Sequence, residues 1–261
     1  MSLNDTVSKA IDKKVDLYSH DFWRFAVRSI LAGVYLTIGT AMAAAVGNAV
    51  ENLAPGLGSI VFGLLFFVGL FTIILLGAEL ATGNMMYLVY GAIRKDLSWF
   101  SAARILLVTT LFNLVGAVMV GFLLGQAKVF AVVDPGHLLS ILSQGKLLKE
   151  PGQMFIEAVL ANFVVNMGIV GATLIKEWSG KFLMLMVVIG AFVILGLEHL
   201  IANFSLFSLT FFSADPLIPE MNAAQVSLNW VLVFFGNILG GGFLMGGVYA
   251  WLNKGRESYR D

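Results

Sequence analysis

Cysteine is missing altogether from these 261 residues, and with it go a disulfide framework, a thiol nucleophile and a thiolate metal site. Histidine is nearly missing: His20, His137 and His199 are too few and too scattered to build a histidine metal centre, so no metal or other cofactor is expected. Charge is the third shortage. Charged residues make up 12% of the chain, against about 25% in soluble domains, too little to cover a water-facing surface. That excludes a cytosolic enzyme, a nucleic-acid binder and a disordered chain. The 16 basic and 16 acidic residues balance, so no net field draws a polyanion. What is abundant is apolar: 59% hydrophobic residues and a mean hydropathy of +0.89. The composition predicts an all-α integral membrane protein.

Residues 1–21 are polar, with Lys9, Lys13, Lys14 and four aspartates, and read as an amphipathic cytoplasmic lead-in. They lack the apolar core of a cleavable signal peptide, so none is expected. Six apolar blocks follow, each near the roughly 20 residues that a spanning helix needs. They run over Phe22–Val46, Leu57–Ala78, Ala103–Leu124, Met154–Ile175, Phe182–Leu197 and Val226–Leu252. Blocks two and five continue past a polar interruption, through Met85–Ile93 and Leu206–Phe212. A hydropathy count alone gives seven or eight segments; we read six helices, the second and fifth broken.

Lysine and arginine placement sets the orientation. The stretch to Arg28, the loop with Arg94, Lys95 and Arg104, the loop with Lys176 and Lys181, and the tail with Lys254, Arg256 and Arg260 hold 13 of the 16. The opposite loops hold Lys128, Lys146 and Lys149. Both termini are therefore expected in the cytoplasm.

The two halves share a pattern. Gly77-Ala-Glu79 with Asn84 and Gly196-Leu-Glu198 with Asn203 are both G-x-E-x4-N, offset by 119 residues. Asn113-Leu-Val-Gly116 and Asn237-Ile-Leu-Gly240 match at an offset of 124. Three spans per half invert the second copy, the architecture in which substrates cross between repeats. The expected division is 22–125 for the first repeat, 126–152 for a periplasmic connection, 153–253 for the second repeat and 254–261 for a cytoplasmic tail.

Polar residues inside apolar blocks carry the functional signal, because a charge at the bilayer centre costs about 2.5–3.5 kcal/mol. Glu79, Glu198 and His199 lie within the repeated motif. Gly77, Thr82, Gly83 and Asn84 around the first, and Gly196, Asn203 and Ser205 around the second, are helix-interrupting or capping types. Freed backbone at that depth must line a cavity or be buried in protein. Half-helix N-termini there attract anions. Each glutamate has two readings, a pathway charge or a brace that accepts N–H groups of its own loop. Asn84 and Asn203 share the second. His199, an imidazole at mid-membrane beside a carboxylate, is read as functional, by attracting an anion or handing it a proton. The plainer reading is a neutral histidine in helix packing.

The stretch Gly77-Ala-Glu-Leu-Ala-Thr-Gly-Asn84 resembles the first loop motif of the formate/nitrite transporter family. Glu198-His-Leu-Ile-Ala-Asn203 resembles the second, and Gly236-Asn-Ile-Leu-Gly-Gly-Gly242 is similar to the family's glycine-rich last helix. The likeness runs from Phe22 to Asn253. It implies a homopentamer of aquaporin-like protomers in a bacterial-type inner membrane, each passing small monovalent anions or their acids. By position it makes His199 the central pore residue and Thr82 the threonine facing it. Phe66 and Phe192 fall at the periplasmic constriction and Leu80 at the cytoplasmic one. Lys146 falls at the vestibule lysine, with Lys149 competing, and Asn162 at the asparagine of the fourth helix. Two positions depart from the family pattern. Ala81 stands where a bulky apolar residue is common, and Glu157 where many members have arginine. Formate or nitrite is the expected cargo, with hydrosulfide, acetate and lactate as alternatives within the family. An aquaporin-type neutral-solute channel is the rival class. It lacks support because Asn-Pro-Ala loops are absent and no arginine is expected near either break. An intramembrane enzyme is disfavoured by the absence of H-E-x-x-H and of paired catalytic aspartates.

Overall fold

The computed structural model describes residues 3–254, so Arg256 and Arg260 of the expected basic tail lie outside the described residues. The lead-in is one helix, α1 (Leu3–His20). Its buried stripe is Leu3, Val7, Ile11 and Lys14, at the three- and four-residue spacing of one helix face. Spans follow as α2 (Phe22–Leu53), α3 (Gly58–Leu76) continued by α4 (Ala81–Arg94), and α5 (Trp99–Gly125). A short α6 (Leu138–Leu147) lies in the connection. The second half repeats the plan with α7 (Pro151–Leu174), α8 (Trp178–Ile194) continued by α9 (Leu200–Ser213), and α10 (Ala223–Asn237). The last helix passes through a π-helical stretch, Ile238–Gly247, into α11 (Val248–Leu252). Six crossings, two of them interrupted, form an aquaporin-like protomer of inverted three-helix repeats.

Among the described residues five helices are long and apolar enough to cross a membrane; α8 and α9, at 17 and 14 residues, are too short to do so singly. Hydrophobicity does not mark the inside of this molecule. On α5 the outward stripe is Leu107, Leu111, Val115, Phe122 and Leu123, all exposed, as suits a face toward lipid. On α2 the inward face is Ser29, Ala32, Gly33, Thr37, Thr40, Ala44 and Gly47. Small residues let helix backbones approach where burial of apolar surface gives no preference for protein over lipid. The approach is tight: a Cβ on Gly33 would lie 2.0 Å from the Asn113 carbonyl oxygen, and one on Gly116 2.1 Å from that of Ile30. The second repeat shows the same crossing, with Gly240 packed on the Val159 carbonyl of α7. The glycine run of the last helix therefore packs within its own chain, against α7 and, at Gly246, against the Met86 carbonyl of α4.

Candidate functional site

Both interrupted spans break in the same way. α3 ends on Gly77 with φ 66°, and the turn before Glu198 is made by Gly196 with φ 69°, a left-handed conformation that glycine adopts without cost. The chain then runs extended and restarts as α4 and α9, whose N-terminal turns are buried and which contact each other. Each break is held by one asparagine from the third helix of its repeat. Asn113 accepts the Ala81 N–H (2.9 Å) and donates to the carbonyls of Glu79 (2.9 Å) and Ser29 (2.7 Å). Asn237 accepts the Leu200 N–H (2.9 Å) and donates to those of Glu198 (3.0 Å) and Ala158 (2.8 Å). Of the loop N–H groups, Ala81 and Leu200 donate to these asparagines and Glu79 donates to the Arg28 carbonyl, so these go elsewhere than to the carboxylates of Glu79 and Glu198.

The glutamates instead receive lysines and amides. Glu79 is ion-paired with Lys14 of α1 and accepts from Asn84 (3.2 Å). Glu198, fully buried, accepts from Lys146 (3.0 Å), Lys149 (2.7 Å), Asn203 (2.6 Å) and Asn229 (3.3 Å). Lys146 and Lys149 donate to the same carboxylate oxygen of Glu198. They lie on the connection before α7, outside the spanning helices. Burial pulls the Lys146 ammonium below the ordinary lysine pKa, against the attraction of Glu198. Burial acts the same way on Lys149, but Glu198 and Glu157 outweigh it and hold its pKa above the ordinary value. Lys14 had no signal beyond its place on the apolar stripe of α1, where a lysine is out of pattern. Arg28 was also missed as a neighbour of a break: its guanidinium donates to the Gly77 carbonyl at 2.7 Å. The expectation that no arginine approaches either break is corrected by that contact, which only the packing of α2 against α3 creates.

Two cavities enter from opposite ends of α3. One, of about 250 Å3, is lined by Phe62, Phe66, Phe192, Ala202, Lys146 and Lys149. The other, of about 210 Å3, is lined by Lys13, Lys14, Leu70, Glu79, Leu80 and Gly83. Phe66 and Leu70 are four residues apart on α3, a rise of about 6 Å, so little of that helix separates the cavities. Toward one side of this partition the Phe66 and Phe192 rings meet edge to face at 6.0 Å. Behind Phe192 stands His199, ring to ring at 5.8 Å. Its Nδ1 accepts the Ala202 N–H at 3.2 Å and caps α9. A ring nitrogen that accepts carries no proton, so a neutral His199 bears its N–H on Nε2. Among the described residues that Nε2 is buried with no hydrogen-bond partner, and so is Oγ1 of Thr82 in the first turn of α4. Buried polar atoms without partners are rare and costly, and call for an explanation.

Asn162 and Asn166 of α7 both donate to the Thr82 carbonyl (3.2 and 3.3 Å), and Asn162 also to that of Asn237 (2.8 Å). The Asn162 amide therefore grips backbone around the centre. Asn203 likewise spends its amide nitrogen on Glu198 and Asn229 (2.8 Å). Ala81, in the first turn of α4, is fully buried. Glu157, on α7, is ion-paired with Lys149.

Inverted repeats whose interrupted spans restart as half-helices in the interior, with cavities entering from both ends, define the class of aquaporin-like membrane channels. Comparison with known proteins narrows this. The model of the formate/nitrite transporter family matches residues 2–251, and the chain belongs to that family. A probable formate transporter of Methanothermobacter thermautotrophicus is 32% identical, over 85% of this chain and 86% of its own length. A solved FNT family ion channel superposes with a TM-score of 0.88 at 29% identity, covering 95% of this chain and 99% of its own. A pentameric formate channel with formate bound shares the fold, with a TM-score of 0.77 at 24% identity over 88% and 96% of the two chains.

Proposed function

We propose that this chain is a channel for small monovalent anions of the formate and nitrite class, acting by passage and not by catalysis. The observation that carries the reading is that His199 Nε2 and Thr82 Oγ1 are buried with no hydrogen-bond partner among the described residues. Phe192, against the His199 ring, and Gly83, next to Thr82, line two separate lysine-bearing cavities. Each of the two buried atoms can donate one hydrogen bond, which suits an oxyanion. The N-terminal turns of α4 and α9 add partial positive charge at the same level. On one side Phe66 and Phe192, and on the other Leu80 with Leu70, make passage of a bare anion expensive. Protonation of the anion lowers that barrier, and a histidine N–H is placed to supply or share the proton.

The anion enters at Lys146, crosses the phenylalanine pair, meets His199 and Thr82, and leaves past Leu80 into the cavity with Lys14. Asn162, Asn203, Asn84, Glu79, Glu198 and the glycines Gly77, Gly83 and Gly196 shape that route. The protomer assembles as a homopentamer in a bacterial-type inner membrane, each copy with its own route. The likeness to a pentameric formate channel supports this. Lysine and arginine placement supports both termini in the cytoplasm, and the repeat limits 22–125 and 153–253 follow from the matched motifs. Flux of formate and nitrite into proteoliposomes tests the reading. His199→Phe and Thr82→Val should each cut flux at least tenfold and flatten its pH dependence, with the assembly intact. Wild-type flux and pH profile in both variants would refute it.

A further inference from the structure

The proposed route leaves Glu157 without a part. The ammonium of Lys149 has three N–H groups and three acceptors: Glu157, the Gly196 carbonyl at 2.7 Å and Glu198 at 2.7 Å. Nothing remains to offer a ligand. Among the described residues Lys146 has two acceptors, the Leu197 carbonyl and Glu198, both at 3.0 Å, which leaves its third N–H for a ligand. Both lysines line the cavity, whereas Glu157 does not; it reaches Lys149 from the α7 side. The four groups Lys146, Lys149, Glu157 and Glu198 sum to zero charge.

We propose that Glu157 sets the anion affinity of this mouth through Lys149. By serving as the third acceptor it keeps Lys149 saturated, so an arriving anion meets one available ammonium instead of two. A conducting site must bind well enough to admit an ion and weakly enough to release it. Glu157 holds the mouth on the weak side of that balance. Its role is positioning, since it touches Lys149 and not the anion. The inference rests on the anion-channel reading.

The test is the concentration dependence of formate and nitrite flux in proteoliposomes. Glu157→Gln removes the compensating charge and leaves Lys149 only a weaker, neutral amide oxygen as third acceptor, so its third N–H is more readily given to an anion. The half-saturating concentration should fall about 3- to 10-fold, with maximal flux equal or lower. Glu157→Asp keeps the carboxylate and should stay within about twofold of wild type. The discriminating arm repeats Glu157→Gln in a Lys149→Gln background, where the shift should vanish. A half-saturating concentration unchanged or raised in Glu157→Gln overturns the proposal. So does an equal shift in both backgrounds, which would mean that Glu157 acts as a distant charge and not through Lys149. Should the double variant fail to assemble, the single variants still decide by the first criterion. A wild-type protein that passes neither anion refutes the channel reading itself, a result distinct from normal flux with an indifferent Glu157.

Discussion

Asn237 offers the sharpest trial of how the breaks are held. Replacing it with alanine removes three hydrogen bonds at once: from the Leu200 N–H, and to the carbonyls of Glu198 and Ala158. Ala158 lies inside α7, and its carbonyl keeps a helical partner. The Leu200 N–H and the Glu198 carbonyl lie at the break and have no helix neighbour to turn to. Both residues are buried, so water does not replace the amide. An unsatisfied buried backbone group costs about 1–3 kcal/mol, which puts Asn237→Ala at about 2–6 kcal/mol. Side-chain hydrogen bonds between membrane helices average only about 0.6 kcal/mol, because the unfolded chain in lipid also finds partners. Three of those amount to about 2 kcal/mol, so the two estimates meet at the lower bound. Asn113→Ala should cost the same, since its three bonds are the counterparts in the other repeat. Equilibrium unfolding in mixed detergent micelles measures both variants against the wild type. Flux should also fall in Asn237→Ala, because His199 directly precedes the released Leu200. A loss below about 0.5 kcal/mol in either variant, or costs for the two that differ severalfold, would refute the asparagine brace as the common device.

Gly241→Ala is expected to damage the centre from behind. The new Cβ would lie 2.2 Å from Asn162 Nδ2 and 2.5 Å from Asn166 Nδ2, the two amides on the Thr82 carbonyl. Overpacking costs about 1–3 kcal/mol, so a thermal shift of several degrees with reduced flux should appear; an unchanged melting curve would show that these amides move freely. Lys149 gives a pH test. Its pKa in the fold lies above the ordinary 10.5, so the folded state holds this proton more tightly than the unfolded state. That contribution is fully present below pH 10.5 and is lost as the pH rises through the folded value. Unfolding measured from pH 9 to 12 should show the loss, and Lys149→Gln should abolish it; an identical alkaline slope in the variant would contradict the assignment.

Much of the architecture was legible because its causes are local. Six apolar blocks, two with polar interruptions, already require two spans to break, since glycine, asparagine and glutamate cannot continue unpaired through lipid. The paired G-x-E-x4-N motifs and the Asn-x-x-Gly pair mark both breaks and the residues that brace them. The partner of each glutamate was not legible. Lys14 lies 65 residues from Glu79, and Lys146 lies 52 from Glu198. No spacing rule links residues that meet only when separate helices dock. Arg28 escaped for the same reason, 49 residues before the Gly77 carbonyl it holds.

The linear chain by itself determined that this protein lives in a bilayer, that its two halves share one plan, and that a histidine stands at the second interruption. Those properties depend on hydropathy, on repetition and on residue type, each readable without coordinates. Tertiary structure decided which charges neutralise one another and which polar atoms stay unpaired. It gave both lysines of the connection to one carboxylate and set Glu157 on Lys149. It also left His199 Nε2 and Thr82 Oγ1 buried without partners among the described residues. The physical reason is that a hydrogen bond or ion pair reaches about 3 Å, and only the packing of distant helices brings groups that close or holds them apart.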